Sequence, residues 1–393
     1  LVLHNYMDFD DLKDYVKISY ELTQDGLVIS KGKLPEVSAA PHSEGKINLK
    51  INVPESGKCY LKFIYHLKKE LPLLDEDHIL GFDEIEVSQK DAKCQLAEKW
   101  VEKTVTDSEL QVSEDDTQIH IKGREFAYTI DRRTALFTEM KFAGREYLNH
   151  PMELNIWRAP TDNDMYIKSE WKKAHYDKAY TRAYTTEVVQ GKHGVKIISH
   201  ASVVAETVQK ILDVTITWKI EAAGKIDADI AVTKDDEFPD LPRFGVRMFL
   251  DKKLSAARYF GMGPQESYCD KHQAASHGLY QANVDDLHED YIRPQENGSH
   301  YDCEYVELNN SRYGIVASAE KAFSFNASYY TQEELEKKTH NYELTESDSV
   351  VFCVDYALNG IGSNSCGPVV LEQYRFDDVL FRFQFTLIPY VKG

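Results

Sequence analysis

The chain has 393 residues, and 46 Lys and Arg against 65 Asp and Glu leave it with a formal charge of −19. So acidic a surface repels a phosphate backbone or an anionic bilayer, which argues against general nucleic-acid or membrane-surface binding. A hydrophobic share of 42% with 24 Tyr supports a sizeable core rather than disorder, and no run of about 18 apolar residues offers a membrane-spanning helix.

At roughly 100–200 residues per domain, the length allows two or three domains, or one small domain followed by one large β domain. The sequence starts at Leu1 with no charged and apolar leader before Tyr6, so its beginning reads as a cut inside a longer protein. In chain order, apolar and polar residues alternate over 16–20, 47–53 and 61–65, the period of strands that bury one face. Polar and charged residues crowd together between 88 and 117, which marks a boundary. Residues 1–95 have the size of an immunoglobulin-like sandwich, 96–116 read as a linker, and 117–393 are enough for a large sandwich of many strands. Alternation resumes over 118–121, 214–220, 226–232 and 381–387. Helical pattern is scarce: 169–179 predicts about three turns, and Thr331 with Glu334 is a capping-box signature ahead of Leu335. There is no βαβ rhythm and no fixed-period repeat, so the class is all-β.

Cysteines at 59, 94, 269, 303, 353 and 366 form no CxxC pair, and neither a zinc knuckle nor a disulfide framework is signalled. Mostly buried thiols and a reducing, cytoplasmic location are the expectation, with sequons at Asn297, Asn309 and Asn326 keeping secretion formally open.

Paired carboxylates are the first chemistry to test, because glycoside hydrolysis needs two of them about 5–10 Å apart. Acidic residues are so frequent here that Asp162 with Asp164, or Asp285 with Asp286, arise by chance, and no pair stands out by spacing. His272 and His277 near Cys269 and Asp270 lack the i,i+4 spacing of metal ligands on a helix and read as a polar turn. Gly261-Met262-Gly263-Pro264 lacks a dinucleotide fingerprint and reads as a tight turn, and neither a GxSxG elbow nor a P-loop occurs. Three segments are more constrained than loops need to be. Residues 157–164, Trp-Arg-Ala-Pro-Thr-Asp-Asn-Asp, join a fixed charge, a stiffened turn and Asx side chains in a corner. A Pro-Gln-Glu core recurs at Pro264-Gln265-Glu266 and Pro294-Gln295-Glu296, the second followed by Asn297. These predict polar corners built from Arg158, Asp162, Asn163, Asp164, Gln265, Glu266, Glu296 and Asn297. The third, 360–368, holds three glycines, a proline and small polar residues, and reads equally as the lining of a site and as a plain surface connection.

With 158–164, 263–268 plus Asp270, 294–298 and Gly360-Ile361-Gly362 in this order and at these separations, the sequence resembles the carboxy-terminal part of bacterial β-galactosidases of glycoside hydrolase family 2. The match runs from about Glu125 to the end, and the opening, with 5–12 and 22–26, is similar to the immunoglobulin-like domain that precedes it. The resemblance implies an immunoglobulin-like β-sandwich followed by a large galactose-mutarotase-like β-sandwich. It also implies that both catalytic glutamates belong to a (β/α)8 barrel outside this sequence, either in the same enzyme or in a separate large subunit. Mg2+ and Na+ are held mainly by that barrel in the family, so no cofactor is expected in this chain, and the full enzyme is expected to be an oligomer. The family places the loop after Gly362 at the mouth of the sugar pocket, so Ser363, Asn364 and Cys366 are the expected contacts to a β-galactoside. Two departures stand out. The best-known members carry a stacking tryptophan where Cys366 stands, and the longer mobile loop that some members have after Asp164 gives way here to a helical pattern at Ser169. The leading reading is a non-catalytic fragment of a β-galactosidase that completes a sugar pocket. The rivals are a stand-alone carbohydrate-binding module, which would hold galactosides without the barrel, and a purely structural interface domain.

Overall fold

The computed structural model describes residues 1–101 and 110–392. Two compact units divide the chain after Gln95, with the short stretch His277–Leu279 counted in the first. In the first unit a four-stranded sheet runs in the order Leu27–Lys33, Val16–Gln24, Cys59–Leu67, Ile79–Glu86. Asp25 and Gly26, at φ 47° and 78°, make the two-residue turn that joins the first hairpin, a conformation suited to Asp-Gly. A second, two-stranded ribbon of Val2–His4 and Glu44–Lys46 contributes Leu3 to a core that Ile18, Leu22, Leu61 and Phe63 fill from the larger sheet.

Residues 47–53, expected as a strand, correct the sequence reading. Ile47 is buried and Asn48 and Lys50 are exposed, so the alternation is real, but beyond Ile47, which exchanges backbone bonds with Leu1 at 3.1 and 2.9 Å, the segment joins no ladder among the described residues. Alternating burial reports side-chain direction; a strand also needs a neighbour within hydrogen-bonding reach.

The second unit is a β-sandwich. Its twelve-stranded antiparallel sheet has a path from Leu148–Asn155 through Arg243–Asp251, Ser349–Leu358, Tyr313–Ser328, Leu380–Val391 and Ile226–Lys234 to the edge at Tyr180–Gln190. A five-stranded sheet covers part of it, with Phe126–Asp131 at its centre. The period-2 pattern decides which face is buried: along Ile226–Lys234 each of Ile226, Ala228, Ile230 and Val232 is buried. Trp218 pins the two layers. It is fully buried, meets Phe137 edge-on at 4.9 Å, and donates its indole N–H to the Ala135 carbonyl at 2.8 Å. The segment 96–116, expected as a linker, supplies this unit with the helical turn Glu98–Val101 and the edge strand Gln111–Glu114, which pairs with Gln118–Lys122.

The expected three-turn helix over 169–179 is shorter and starts earlier. It runs over Ile167–Lys173, then His175 adopts φ 59° and the chain continues as the 3-10 turn Tyr176–Lys178. A non-glycine residue in the left-handed region ends a helix, and here burial of Trp171 and Tyr176 on the core side holds that break. The capping signature at Thr331 is in place, its hydroxyl accepting from Glu334 N at 3.1 Å to start the helix Gln332–Lys337. No helix among the described residues is long and apolar enough to cross a membrane.

Candidate functional site

The constrained segments of the sequence meet at one end of the larger unit. Arg158 is fully buried and grips Asp164 with two bonds, Nε to Oδ2 at 3.2 Å and Nη2 to Oδ1 at 2.7 Å. The same guanidinium donates to the carbonyls of Asn359 and, at 3.1 Å, Gly360, so one side chain ties the 157–164 corner to the start of the glycine-rich loop. Burial is the largest influence and opposes its charge, but the Asp164 carboxylate, together with Glu296 and Tyr268, holds the guanidinium above its ordinary value. Asp164 also closes its own turn, accepting from Thr161 N at 2.9 Å and the Thr161 hydroxyl at 3.2 Å.

The loop itself hangs on two further side chains. Asp270 accepts Ile361 N at 2.9 Å and Gly362 N at 2.7 Å. Asn163 donates to the Gly362 carbonyl at 2.6 Å and accepts from the Ser365 hydroxyl at 2.8 Å. Gly362 sits at φ +69°, and a Cβ there would meet Val370 Cγ2 at 2.6 Å, so glycine is needed both for conformation and for space. Beyond these anchors Ser363 and Cys366 are exposed and Asn364 is half-buried. Ser363 closes the loop by donating to the Pro368 carbonyl at 3.1 Å.

The second Pro-Gln-Glu segment packs beneath the corner. Glu296 N donates to the Ala159 carbonyl at 3.0 Å, and Gln295 Oε1 accepts from Asp162 N at 2.8 Å. The Glu296 carboxylate shares Arg243 with Asp355, at 3.3 and 2.6 Å, and all three side chains are nearly or fully buried. Burial pushes both carboxyls above the usual carboxylate range, against the pull of Arg243. Asn297 is buried and bridges Glu289 N and the Gln295 carbonyl. Glu266 accepts from Gly298 N at 2.8 Å and binds Lys271 and the Tyr291 hydroxyl.

Not every expected residue joins the buried corner. Asp162 and Gln265 are exposed, Asp162 being held through its backbone amide, because they fall on the solvent side of their turns. The Gly261 and Gly263 pair does not make a tight turn: both lie in the strand Ala256–Gly263, where a Cβ would meet Cys303 Sγ at 2.2 Å and Tyr259 Oη at 2.3 Å. The polar-turn reading of 269–277 holds for His272, whose Nδ1 lies 3.0 Å from the Tyr268 carbonyl, whereas His277 opens the strand Ser276–Asn283. Two of the sequons, Asn297 and Asn326, have buried side chains that this fold closes to a glycan.

Each buried carboxylate of the corner is thus engaged by a guanidinium or by backbone amides. Such an arrangement fixes a loop. Among the described residues no three His, Cys, Asp or Glu side chains gather as metal ligands.

A family model described as the β-galactosidase small chain matches residues 122–387. The chain belongs to the β-galactosidase family. A second model, β-galactosidase domain 4, matches residues 1–88. The β-galactosidase of Actinobacillus pleuropneumoniae is 42% identical over 390 residues, 99% of this chain and 38% of that protein. The β-galactosidase of Staphylococcus xylosus is 31% identical over 392 residues, 98% of this chain and again 38% of its own length. The chain therefore spans about 38% of these relatives. Among solved structures, a galactose 1-epimerase from Lactobacillus acidophilus aligns over 74% of this chain and all of its own, with a TM-score of 0.38 and 8% identity.

Sequence reasoning missed Arg243, Asp355 and the carbonyl of Asn359 as parts of this β-galactosidase-family corner. One signal was available: Asp355 directly follows the apolar run 350–354, and a charge inside a buried strand needs a partner. Nothing local pointed to Arg243 as that partner, 112 positions away.

Proposed function

We propose that this chain is the non-catalytic carboxy-terminal part of a retaining β-galactosidase, and that its larger unit supplies one wall of a galactoside pocket built mainly on a barrel outside these residues. The observation that carries this reading is the 362–368 loop, exposed at its tip yet anchored at its base by Arg158, Asn163 and Asp270. Exposure of Ser363 and Cys366, with half-buried Asn364 between them, makes the loop available to a sugar, and anchoring removes most of the ordering cost that a free loop would add to binding. A requirement for Mg2+ or Na+ belongs to the barrel in this reading, since the corner's carboxylates are already satisfied. The chain's partner is then the rest of the enzyme, as the length of the relatives supports.

The test compares the complete enzyme with its Asn163→Ala variant. Loss of the loop anchor is expected to raise KM for a chromogenic β-galactoside several-fold while the melting temperature moves little, because Asn163 is only half-buried. An unchanged KM overturns the loop as a pocket wall. The chain alone is expected to show no turnover, and turnover that disappears on replacing one of its own Asp or Glu overturns the non-catalytic reading.

A further inference from the structure

Arg258 takes no part in the corner. It lies in the strand Ala256–Gly263, directly opposite Glu307 of the strand Ser299–Asn309. Opposite charges so placed across two strands normally pair. Here both carboxylate oxygens are already taken: Oε2 accepts from the Tyr305 hydroxyl at 2.8 Å, and Oε1 accepts from the Tyr390 hydroxyl. Trp100 donates its indole N–H to the Tyr305 oxygen at 3.2 Å, which leaves the Tyr305 proton to Glu307, and all three of Tyr305, Tyr390 and Glu307 are buried. Arg258 is left half-buried with its Nε enclosed, and it makes no hydrogen bond or ion pair among the described residues. An enclosed charged donor without an acceptor is costly and uncommon in a folded protein.

The side chain lines a cleft of about 600 Å³, within the range of about 300–1,000 Å³ typical of ligand sites. Lys392 lines it too, donating to Asn309 Oδ1 at 3.2 Å and to the Asn310 carbonyl at 3.0 Å, so its partners are neutral and its charge is not cancelled. Of the two acids in the lining, Glu307 is committed to its tyrosines, and Asp286 is exposed and accepts from Asn283 Nδ2 at 2.8 Å. Two cations without carboxylate partners therefore face one cleft on a chain that carries −19, a local reversal of the overall field. A guanidinium presents a planar fork that matches two oxygens of one carboxylate or phosphate, and a separate ammonium adds a point charge. Two fixed positive charges favour a dianion over a monoanion, and a phosphoryl group offers three acceptor oxygens where a carboxylate offers two.

We propose that this cleft is a binding site for a phosphoryl dianion, gripped by Arg258 and steadied by Lys392. The site goes beyond the pocket-wall reading and does not depend on it: none of its residues belongs to the corner or to the 362–368 loop, and it is read by binding alone.

The probe is inorganic phosphate at about pH 8, where the phosphoryl group is a dianion, titrated into the 393-residue chain and followed by calorimetry and phosphorus NMR line broadening. Phenyl phosphate is titrated in parallel. The expected Kd is about 1 mM, weakening several-fold as salt is raised from about 0.05 to 0.5 M. Arg258→Met is expected to weaken binding about tenfold or more without lowering the melting temperature, because no bond within the described residues is lost. Arg258→Lys, which keeps the charge and loses the fork, is expected to recover only part of the affinity. Lys392→Gln is expected to weaken binding several-fold, and Lys196→Gln, which lies outside this lining, to leave it unchanged. Tighter binding of phenyl phosphate names a phosphate ester as the ligand, its organic part along Trp100, and equal affinities name the free oxyanion; either result supports the site. No binding of either probe up to about 20 mM overturns it, as does affinity indifferent to Arg258→Met. Equal loss with Lys196→Gln also overturns it, by reducing the attraction to diffuse charge. If Arg258→Met does not fold, Arg258→Lys and Lys392→Gln decide, and unchanged affinity in both overturns the site.

Discussion

Removing the guanidinium at the centre of the corner, with Arg158→Met, tests how the motifs are held together. The side chain has no exposed surface, donates two bonds to Asp164, and satisfies the Asn359 and Gly360 carbonyls. Methionine fills much of the space over the Trp171 ring, to which the guanidinium carbon now lies 5.3 Å from the centroid. It leaves Asp164 with only the Thr161 donors and two buried carbonyls with none. Breaking a buried pair from one side costs about 3–5 kcal/mol, mostly because the surviving charge is stranded. At about 2 °C per kcal/mol for a large domain, this is a fall in melting temperature of about 6–10 °C. Calorimetric melts of Arg158→Met, Asp164→Asn and the double variant measure it. The double variant is expected to lose less than the sum of the singles, with a coupling of about 1–3 kcal/mol. Additive losses, or a single-variant midpoint within about 1 °C of the parent at that same scale, refute the claim that this pair organises the corner.

Three further outcomes follow from the same structure. His300 is buried, with Nε2 lacking a partner among the described residues and Nδ1 near the Met262 carbonyl, and burial depresses its ring from 6.5 to about 4. A depressed group contributes stability that is present above its unfolded value and lost as pH falls toward the folded one. The gap, at about 1.4 kcal/mol per pH unit, makes His300 responsible for about 3 kcal/mol lost between pH 6.5 and 4. Melts of His300→Gln over that window are expected to fall less steeply than those of the parent, and parallel curves refute the assignment. Native alkylation at pH 8 followed by mass mapping is expected to mark exposed Cys366 first, with Cys269 and Cys353 slow because burial pushes their thiols up to about 11 and about 12; a protected Cys366 removes the loop from the rim. In the complete enzyme, Cys366→Trp is expected to tighten galactoside binding by about 0.5–1.5 kcal/mol, roughly 2- to 10-fold, through an added aromatic face. No change in affinity places the loop out of reach of sugar.

Much of the fold was legible in the sequence because strand periodicity is local. Residues 214–220, 226–232 and 381–387 alternate strictly, and in each case the apolar set faces the core, since a one-residue slip would expose all of it. The Asp25-Gly26 turn and the Thr331 cap also act within a few residues, so short-range chemistry decides them. The motifs at 158–164 and 360–362 announced a constrained corner and, through resemblance, a family. What the sequence could not show was who pairs with whom. Arg158 meets Gly360 across 202 positions and Arg243 meets Asp355 across 112, and the hydrogen bonds that join them exist only after the sheets have packed. The same holds for residues 48–53, where the alternation of a strand is present without a ladder among the described residues, and for Asp229 and Arg382, which meet from strands 153 positions apart. Side-chain direction is a property of the local backbone and is written in the sequence; partnership is a property of the folded surface, and the tertiary structure alone decides it.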